Sequence, residues 1–357
     1  HARLSRRGFL GASAAAGAAS LVMPRMAFSA TRARGGAAGT RPTLIGLFLR
    51  GAMDGLSVVV PYGDSGLYAE RPNLAVNAPG MPDGAVGLDG YFGLNPNAAP
   101  LMNAYQSGTL GFVHACGSTD PSRSHFDAMR TMETGTPDDP TRNEVSGWLA
   151  RHLQSVSPVG SGALRGIALD DLLPRVLALA PSTLPIPNPG EFSFPGAASS
   201  AISRRAAIEA SYAATAPPLA PAAQSSMQAI DLLDGIDFAG YAPENGAVYP
   251  TSTFGLVLRN TAALIKADVG LEVAHYDYGG WDHHNNQGPI VGTLANMLAD
   301  LSASLAAFHL DMQGREREYI LYAKSEFGRR VAENGSAGTD HGSGGAMLVM
   351  GNRVQGG

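Results

Sequence analysis

The sequence predicts an α/β fold, a doubly wound and mostly parallel sheet with helices on both faces. Two observations lead to this prediction. Short apolar runs read as buried strands, and helical segments separate them along the chain. The runs are residues 42–50, 110–116, 271–277, 318–323 and 346–350.

The predicted helices lie between these strands. The clearest one is opened by Pro289, because apolar residues recur after it at helical spacing as far as Phe308. Other helices are expected near residues 100–105, 199–213, 222–235 and 252–267. Residues 155–225 are rich in Pro, Ala and Ser, and we predict an insertion there, with an extended surface excursion where prolines are closely spaced.

The N-terminus predicts export. Paired Arg6 and Arg7 precede an Ala/Gly-rich apolar run and small residues, the order of a twin-arginine signal peptide. We therefore predict a signal peptide over residues 1–30, a linker over 31–41 and one domain over 42–357. The ends of the chain, His1 and the Gly-Gly pair at 356–357, suggest a fragment truncated at its C-terminus.

Such a signal implies transport by the twin-arginine export machinery to the periplasm or the extracellular space. No later run is apolar enough over about eighteen residues to span a bilayer, so we expect no stable membrane insertion after cleavage.

Charge and cysteine content exclude several classes of function. The net charge is -5, and no Lys/Arg-rich run occurs outside the N-terminus, so nucleic acid is not an expected partner. The single cysteine, Cys116, rules out iron-sulfur clusters, thiolate zinc sites and an internal disulfide.

Carboxylates and histidines follow the predicted strands. In open α/β sheets the ligand site lies at the carboxyl ends of the strands, so we expect these side chains to meet. Carboxylates mixed with imidazoles suit zinc or manganese, with iron and calcium as alternatives, at one or two ions per chain. The candidate metal ligands are Asp54, Asp282, His284, Glu326, Asp340 and His341.

Each candidate also has an ordinary structural reading. Asp54 before Gly55 suits a turn, and Glu326 suits a helix cap. Asp282 and His284 are harder to explain in this way, because they share one tight loop behind Gly-Gly-Trp. His283, between them, is expected to support the ligands without binding the ion.

A different pattern follows the second predicted strand. Pro121 suits the first turn of a helix, which places Ser124 near a helix N-terminus, where amide groups and the helix dipole favour an anion. A Ser124 hydroxyl beside Arg123 is well placed to attack a phosphate or sulfate ester. His125 is a further catalytic candidate, and the alternative for Ser124 is an N-cap.

The motifs "LFLRGAMDG", "SRSHFD", "DYGGWDHH", "SEFGRR" and "TDHG" resemble, in order and spacing, those of the bacterial exported proteins called the domain of unknown function 1501 family. That family belongs to the alkaline phosphatase-like (sulfatase-like) superfamily. The resemblance covers the chain from about Pro42 to its end and implies an alkaline phosphatase-like fold with a two-metal site and a Ser, Thr or modified Cys nucleophile.

By this resemblance, Asp54 is similar to a metal aspartate after the first strand, and Asp282 and His284 to the Asp and His of one metal. Glu326 takes the place of an aspartate, and His341 that of a late histidine. Thr119 lies where sulfatases carry the nucleophilic cysteine. Phe327 stands where sulfatases place a metal histidine, which is a departure from the two-metal pattern.

The sequence therefore predicts an exported metal-dependent hydrolase of small anionic phosphate or sulfate esters. In this hypothesis Asp282, His284 and His341 bind one ion, and Asp54 and Glu326, with Asp340, bind another. The alternative is a secreted binding protein that keeps the fold and one structural metal without turnover. An oxidoreductase is disfavoured, because the chain has no G-x-G-x-x-G motif.

Overall fold

The computed structural model describes residues 41–139, 141–216, 219–315, 318–351 and 353–357. The predicted signal peptide and residues 31–40 of the predicted linker lie outside these ranges. Within them, no helix has both the length and the apolar character that crossing a membrane requires.

The strands of the described residues are short, and most lie in one sheet. They are β1 (Thr43–Leu49), β2 (Val59–Val60), β3 (Val86–Gly87), β4 (Gly93–Leu94), β5 (Leu110–Cys116), β6 (Gly166–Ala168), β7 (Thr183–Pro185), β8 (Val273–Tyr278), β9 (Tyr319–Lys324), β10 (Arg329–Glu333), β11 (Thr339–His341) and β12 (Gly345–Met350). The central sheet has the order β5-β12-β9-β1-β8-β6-β7, and two small sheets contain β2-β4-β3 and β10-β11.

The central sheet is mostly parallel. The pairs β1-β8, β1-β9, β6-β7 and β6-β8 are parallel, whereas β12 is antiparallel to both of its neighbours, β5 and β9. All of its strands except β12 therefore run in one direction. The predicted mixed α/β fold with a mostly parallel sheet is confirmed.

The α-helices of the described residues are α1 (Gly55–Val58), α2 (Ser65–Glu70), α3 (Met102–Gln106), α4 (His125–Thr134), α5 (Trp148–Ser155), α6 (Ala201–Ala213), α7 (Leu219–Asp234), α8 (Thr253–Lys266) and α9 (Thr293–Asp311). Short 3-10 helices cover Pro96–Leu101, Arg175–Leu177, Pro189–Glu191 and Ala198–Ser200.

Helices cover both faces of the central sheet, because both faces are apolar. On one face, alternate residues of β1 such as Ile45 and Leu47 join α8 and α9 in the main core. On the other, Leu149 and Leu153 of α5 pack against Val273 of β8 in a smaller cluster. The side chains that follow the strands are thus held by a rigid, two-sided core.

Two predictions about local structure were wrong in detail. The helix expected to open at Pro289 begins at Thr293, because Gly288 and Gly292 adopt φ angles of +57° and +140°, which no α-helix accommodates. The proline-rich part of the insertion is not only a surface excursion, since it contains β7. Pro185 is tolerated in that strand because β7 is the edge of the sheet.

Candidate metal centre

Loops at one edge of the central sheet bring the candidate residues together. The segments after β5, β8 and β9 reach this edge because these strands are parallel. Asp340 and His341 come before β12, and they reach the same edge only because β12 runs antiparallel. The orientation of one strand thus completes the site.

The tight approach of two loops positions Asp282. Gly51, two residues after β1, has φ +116°, and a Cβ atom there would lie 2.5 Å from the backbone nitrogen of Asp282. The Trp281 N–H donates to the Arg50 carbonyl at 3.2 Å, and the Trp281 ring is fully buried. The loop after β8 is therefore pinned against the loop after β1.

Asp282 lies at the centre of three histidines. Its Oδ1 is 3.1 Å from Nε2 of His284 and 3.3 Å from Nε2 of His341. Its Oδ2 is 3.4 Å from Nε2 of His125. The two nitrogens of His284 and His341 are 2.9 Å apart, and one ligand atom each of His125, Asp282 and His341 lie within 4.8 Å of one another.

The other ring nitrogen of each histidine faces a hydrogen-bond acceptor. Nδ1 of His125 is 2.6 Å from Oε1 of Glu326, and Nδ1 of His284 is 3.2 Å from Oδ1 of Asp340. Nδ1 of His341 is 2.9 Å from the carbonyl oxygen of Arg123. Nδ1 of His341 faces a carbonyl oxygen and therefore carries the proton. When Nδ1 of His125 and of His284 also carries the proton, the three Nε2 lone pairs converge on Asp282.

Converging lone pairs are unfavourable without a positive charge between them. At 2.9 Å, two unprotonated ring nitrogens repel each other unless a proton or a cation lies between them. Burial lowers the pKa of His341, which favours the neutral ring that binds a cation. Asp282 keeps 44% of its side chain exposed, so the centre is open to solvent.

Arg329 ties the surrounding loops together. Its guanidinium donates to the carbonyls of Gly51 and Ala52 at 2.5 and 2.7 Å, to that of Thr339 at 2.8 Å, and to Oδ1 of Asp282 at 2.5 Å. Partial burial opposes ionisation of Asp282, but the bond to Arg329 holds the pKa of this carboxyl below its usual value. Asp282 is therefore an anion at neutral pH.

Helix α4 supplies His125, and its N-terminus carries the predicted nucleophile. Ser124 is the N-cap of α4, but its side chain makes no capping hydrogen bond. Arg123 is exposed and adopts φ +50°, an orientation that directs its carbonyl to His341. Thr119 lies elsewhere, on a cavity of about 470 Å³ beside α4 whose lining contains none of the three histidines or Asp282.

The predicted ligands of a second ion do not converge. Asp54 is buried in an ion pair with Arg71 and also accepts from Ser57 and Gln287. Glu326 and Asp340 stand behind His125 and His284 as hydrogen-bond partners. Among the described residues, one group of three or more potential metal ligands has all its atoms within 4.8 Å of one another, and it contains His125, Asp282 and His341. Asp54 is outside it, and His284 joins it only through His341 and Asp282.

Three residues near the predicted ligands have roles that the sequence did not predict. His283 is buried, and neither ring nitrogen has a hydrogen-bond partner, so it does not support the ligands as predicted. The predictions also omitted Arg329, although it lies in the "SEFGRR" motif, and Arg71, which no local pattern distinguishes. Both are buried arginines that hold a carboxylate of the predicted site.

Fold and site together define a mixed α/β protein with a candidate metal centre at the carboxyl edge of its sheet. A family model described as "Protein of unknown function (DUF1501)" matches residues 197–357, which supports the family resemblance seen in the motifs. The matched part contains Asp282, His284 and His341, whereas His125 lies outside it. No curated protein matches the chain.

Among solved structures, the chain is similar to the phosphonate monoester hydrolase of Agrobacterium radiobacter. The TM-score is 0.29 and the sequence identity 12%, over 87% of this chain and 68% of that one. A likeness at this level does not establish an activity, so the chemistry of the chain has to be inferred from its own side chains.

Proposed function

We propose that this protein is a metal-dependent hydrolase of phosphate or sulfate esters, with an alkaline phosphatase-like architecture. One divalent cation is held by His125, Asp282, His284 and His341. The observation that carries the proposal is the convergence of three Nε2 atoms on one carboxylate, each ring being fixed from behind through Nδ1.

The donor set fits such a cation. Two ligands that each lie about 2.0 Å from a tetrahedral zinc are roughly 3.3 Å apart. The separations among Asp282, His284 and His341, from 2.9 to 3.3 Å, are close to this value. Three imidazoles and one carboxylate suit zinc, then manganese or iron, and disfavour calcium, which prefers oxygen ligands.

A bound cation would act as a Lewis acid toward an ester oxygen. The chain supplies the other functions at the start of α4. Arg123 and the amide groups of the helix N-terminus bind the anionic group, and the free Ser124 hydroxyl attacks phosphorus or sulfur. The ester oxygen leaves with the bonding electron pair and takes up a proton from solvent, while the Ser124 proton is released to solvent. Water then releases the acid and restores Ser124. Thr119 is a poorer candidate, because it lines a separate cavity.

Metal analysis of the purified protein tests the first part of this proposal. We expect about one equivalent of zinc, manganese or iron, lost in His284→Ala and His341→Ala. His152→Ala on α5 is the matched control, because His152 is not one of the four proposed ligands. A well-folded protein that binds none of these ions would refute the metal centre.

An ester screen tests the second part. Turnover of a phosphate or sulfate ester should require the ion and should fall by at least about 10²-fold in Ser124→Ala, a loss typical of a removed nucleophile. Ser211→Ala, on the exposed face of α6, is the control. Turnover unaffected by Ser124→Ala would reject Ser124 as the nucleophile.

A non-catalytic binding protein with one structural ion is the second candidate. It is favoured by Phe327, whose ring lies 5.0 Å from that of His125 and occupies space beside the centre. The same two experiments separate the candidates, because this one binds the ion without turning over any ester.

We also propose export by the twin-arginine machinery to the periplasm or the extracellular space. The support is the sequence of residues 1–30, with Arg6 and Arg7. Fractionation of cells that express the full chain tests it. The protein should leave the cytoplasm, and Arg6→Lys with Arg7→Lys should retain it there.

A further inference from the structure

Glu326 is a buried carboxylate with an unusual set of partners. Its side chain is 0% exposed. Oε1 accepts from the Gly51 N–H at 2.9 Å and lies 2.6 Å from Nδ1 of His125. Oε2 is buried without a hydrogen-bond partner among the described residues. An unsatisfied buried carboxylate oxygen costs free energy, which indicates that the residue does more than pack.

The environment of His125 shows what that role is. Its ring is held between Glu326 at Nδ1, Phe327 stacked at 5.0 Å and His341 edge-on at 4.4 Å. Nε2 is buried, has no hydrogen-bond partner and lies 3.4 Å from Oδ2 of Asp282. Every contact therefore leaves one ring atom directed at the centre.

The three acceptors behind the histidines are not equivalent. Asp340 has 46% of its side chain exposed, so water can replace its bond to His284. His341 bonds to a backbone carbonyl, that of Arg123. Glu326 alone of these three is a carboxyl side chain shielded from solvent, where electrostatic interactions are strongest.

We propose that Glu326 is a positioning residue that acts through His125. It fixes the proton on Nδ1, turns Nε2 toward the cation, and supplies a buried negative charge that strengthens the histidine as a ligand. This inference rests on the proposed metal centre. Glu326 then supports the ligand His125 by a hydrogen bond, whereas its position in the sequence predicts direct binding of a second ion.

Cobalt affinity measures this role without any substrate. Co²⁺ titration, followed by its visible absorption, gives a dissociation constant and reports the ligand geometry. Loss of a carboxylate behind a metal-binding histidine typically weakens affinity by 10–100-fold. We expect that loss in Glu326→Gln, which keeps the size of the side chain, and a smaller loss in Asp340→Asn, because Asp340 is exposed.

A double-mutant cycle with His125→Ala isolates the route of the effect. If Glu326 acts through His125, then Glu326→Gln should change cobalt affinity by less than about twofold once His125 is absent. An undiminished loss in the His125→Ala background would overturn the inference, and so would unchanged affinity of Glu326→Gln in the otherwise unaltered protein.

Nuclear magnetic resonance of the unaltered protein provides a test that needs no variant to fold. Long-range ¹H–¹⁵N spectra of the zinc-loaded protein should show His125 protonated at Nδ1 and bound to the ion through Nε2. The opposite tautomer would overturn the inference. Failure of the unaltered protein to bind cobalt and zinc would instead overturn the proposed metal centre, whatever the tautomer of His125.

Discussion

The guanidinium of Arg71 donates two hydrogen bonds, of 2.5 and 3.0 Å, to the carboxylate of Asp54, and both side chains are buried. Burial opposes ionisation of Asp54, but Arg71, Ser57 and Gln287 together hold its pKa below the usual value. Arg71 thereby provides the positive charge that the predicted second cation was expected to supply.

Removal of this arginine should destabilise the protein strongly. Arg71→Ala leaves an uncompensated buried charge, and we expect the free energy of unfolding to fall by about 3–5 kcal/mol. Denaturant unfolding measures it, with Arg330→Ala as the control because Arg330 is exposed. Adding Asp54→Asn should recover part of the loss, and an Arg71→Ala protein of normal stability would contradict this account of the pair.

The same pair should make the fold sensitive to acid. Since the folded-state pKa of Asp54 is lowered, its contribution to stability is present above its ordinary pKa of about 3.9 and is lost as pH falls through the folded value. We expect Asp54→Asn to flatten the decline in unfolding free energy below about pH 4. An unchanged acid limb would show that other carboxyls govern it.

Asp170 should have the opposite effect on stability. Burial and the nearby charge of Asp277 raise the pKa of Asp170 to about 6, although the carboxylate accepts the Asp277 N–H. A raised pKa favours folding at low pH, and this contribution is lost as pH rises through 6. Asp170→Asn should therefore raise the melting temperature at pH 8 and have little effect near pH 4. An equal change at both pH values would contradict the linkage.

Gly46 in β1 should not accept a side chain. A Cβ at this position would lie 2.5 Å from the Tyr322 hydroxyl and 2.8 Å from Nδ1 of His275, so these two side chains would have to shift. Overpacking of this kind costs about 1–3 kcal/mol, which thermal unfolding of Gly46→Ala can measure. Gly335→Ala is the control, because no atom lies within 4 Å of a Cβ there.

Mutations should separate the two roles of Arg123, the contact of its backbone carbonyl with His341 and the binding of an anion by its side chain. With φ +50°, this residue tolerates glycine but strains a β-branched side chain. We expect Arg123→Gly to keep cobalt affinity, because His341 retains its carbonyl partner, and to raise the KM for an anionic ester. Arg123→Val should also weaken cobalt binding, by about tenfold if 1.4 kcal/mol of strain reaches the ligand. Equal cobalt affinities in the two variants would argue against this coupling.

The sequence predicted the sheet and placed Asp282 and His284 at its carboxyl edge, because the two residues share one loop directly after a strand. It also grouped His341 with them, although the strand-end argument does not explain why His341, which precedes β12, reaches that edge. It did not predict the direction of β12, since an apolar run carries no sign of its orientation. Nor did it predict that Asp54 forms an ion pair with Arg71. No local sequence pattern distinguishes this arginine, and only the tertiary structure brings it to Asp54. His283 and His284 are adjacent in the chain, but only the second turns toward the centre.

The antiparallel β12 also affects how the protein folds. It places His341 beside the carbonyl of Arg123, 218 residues earlier in the chain. Contacts of such long range form late, after the entropy of closing the intervening loop has been lost. Early, locally folded states therefore lack His341 at the proposed metal centre, so their ligand set is incomplete. In the proposed centre, ion uptake would report the last stage of folding, and the bound ion would act as a reversible cross-link between distant parts of the chain.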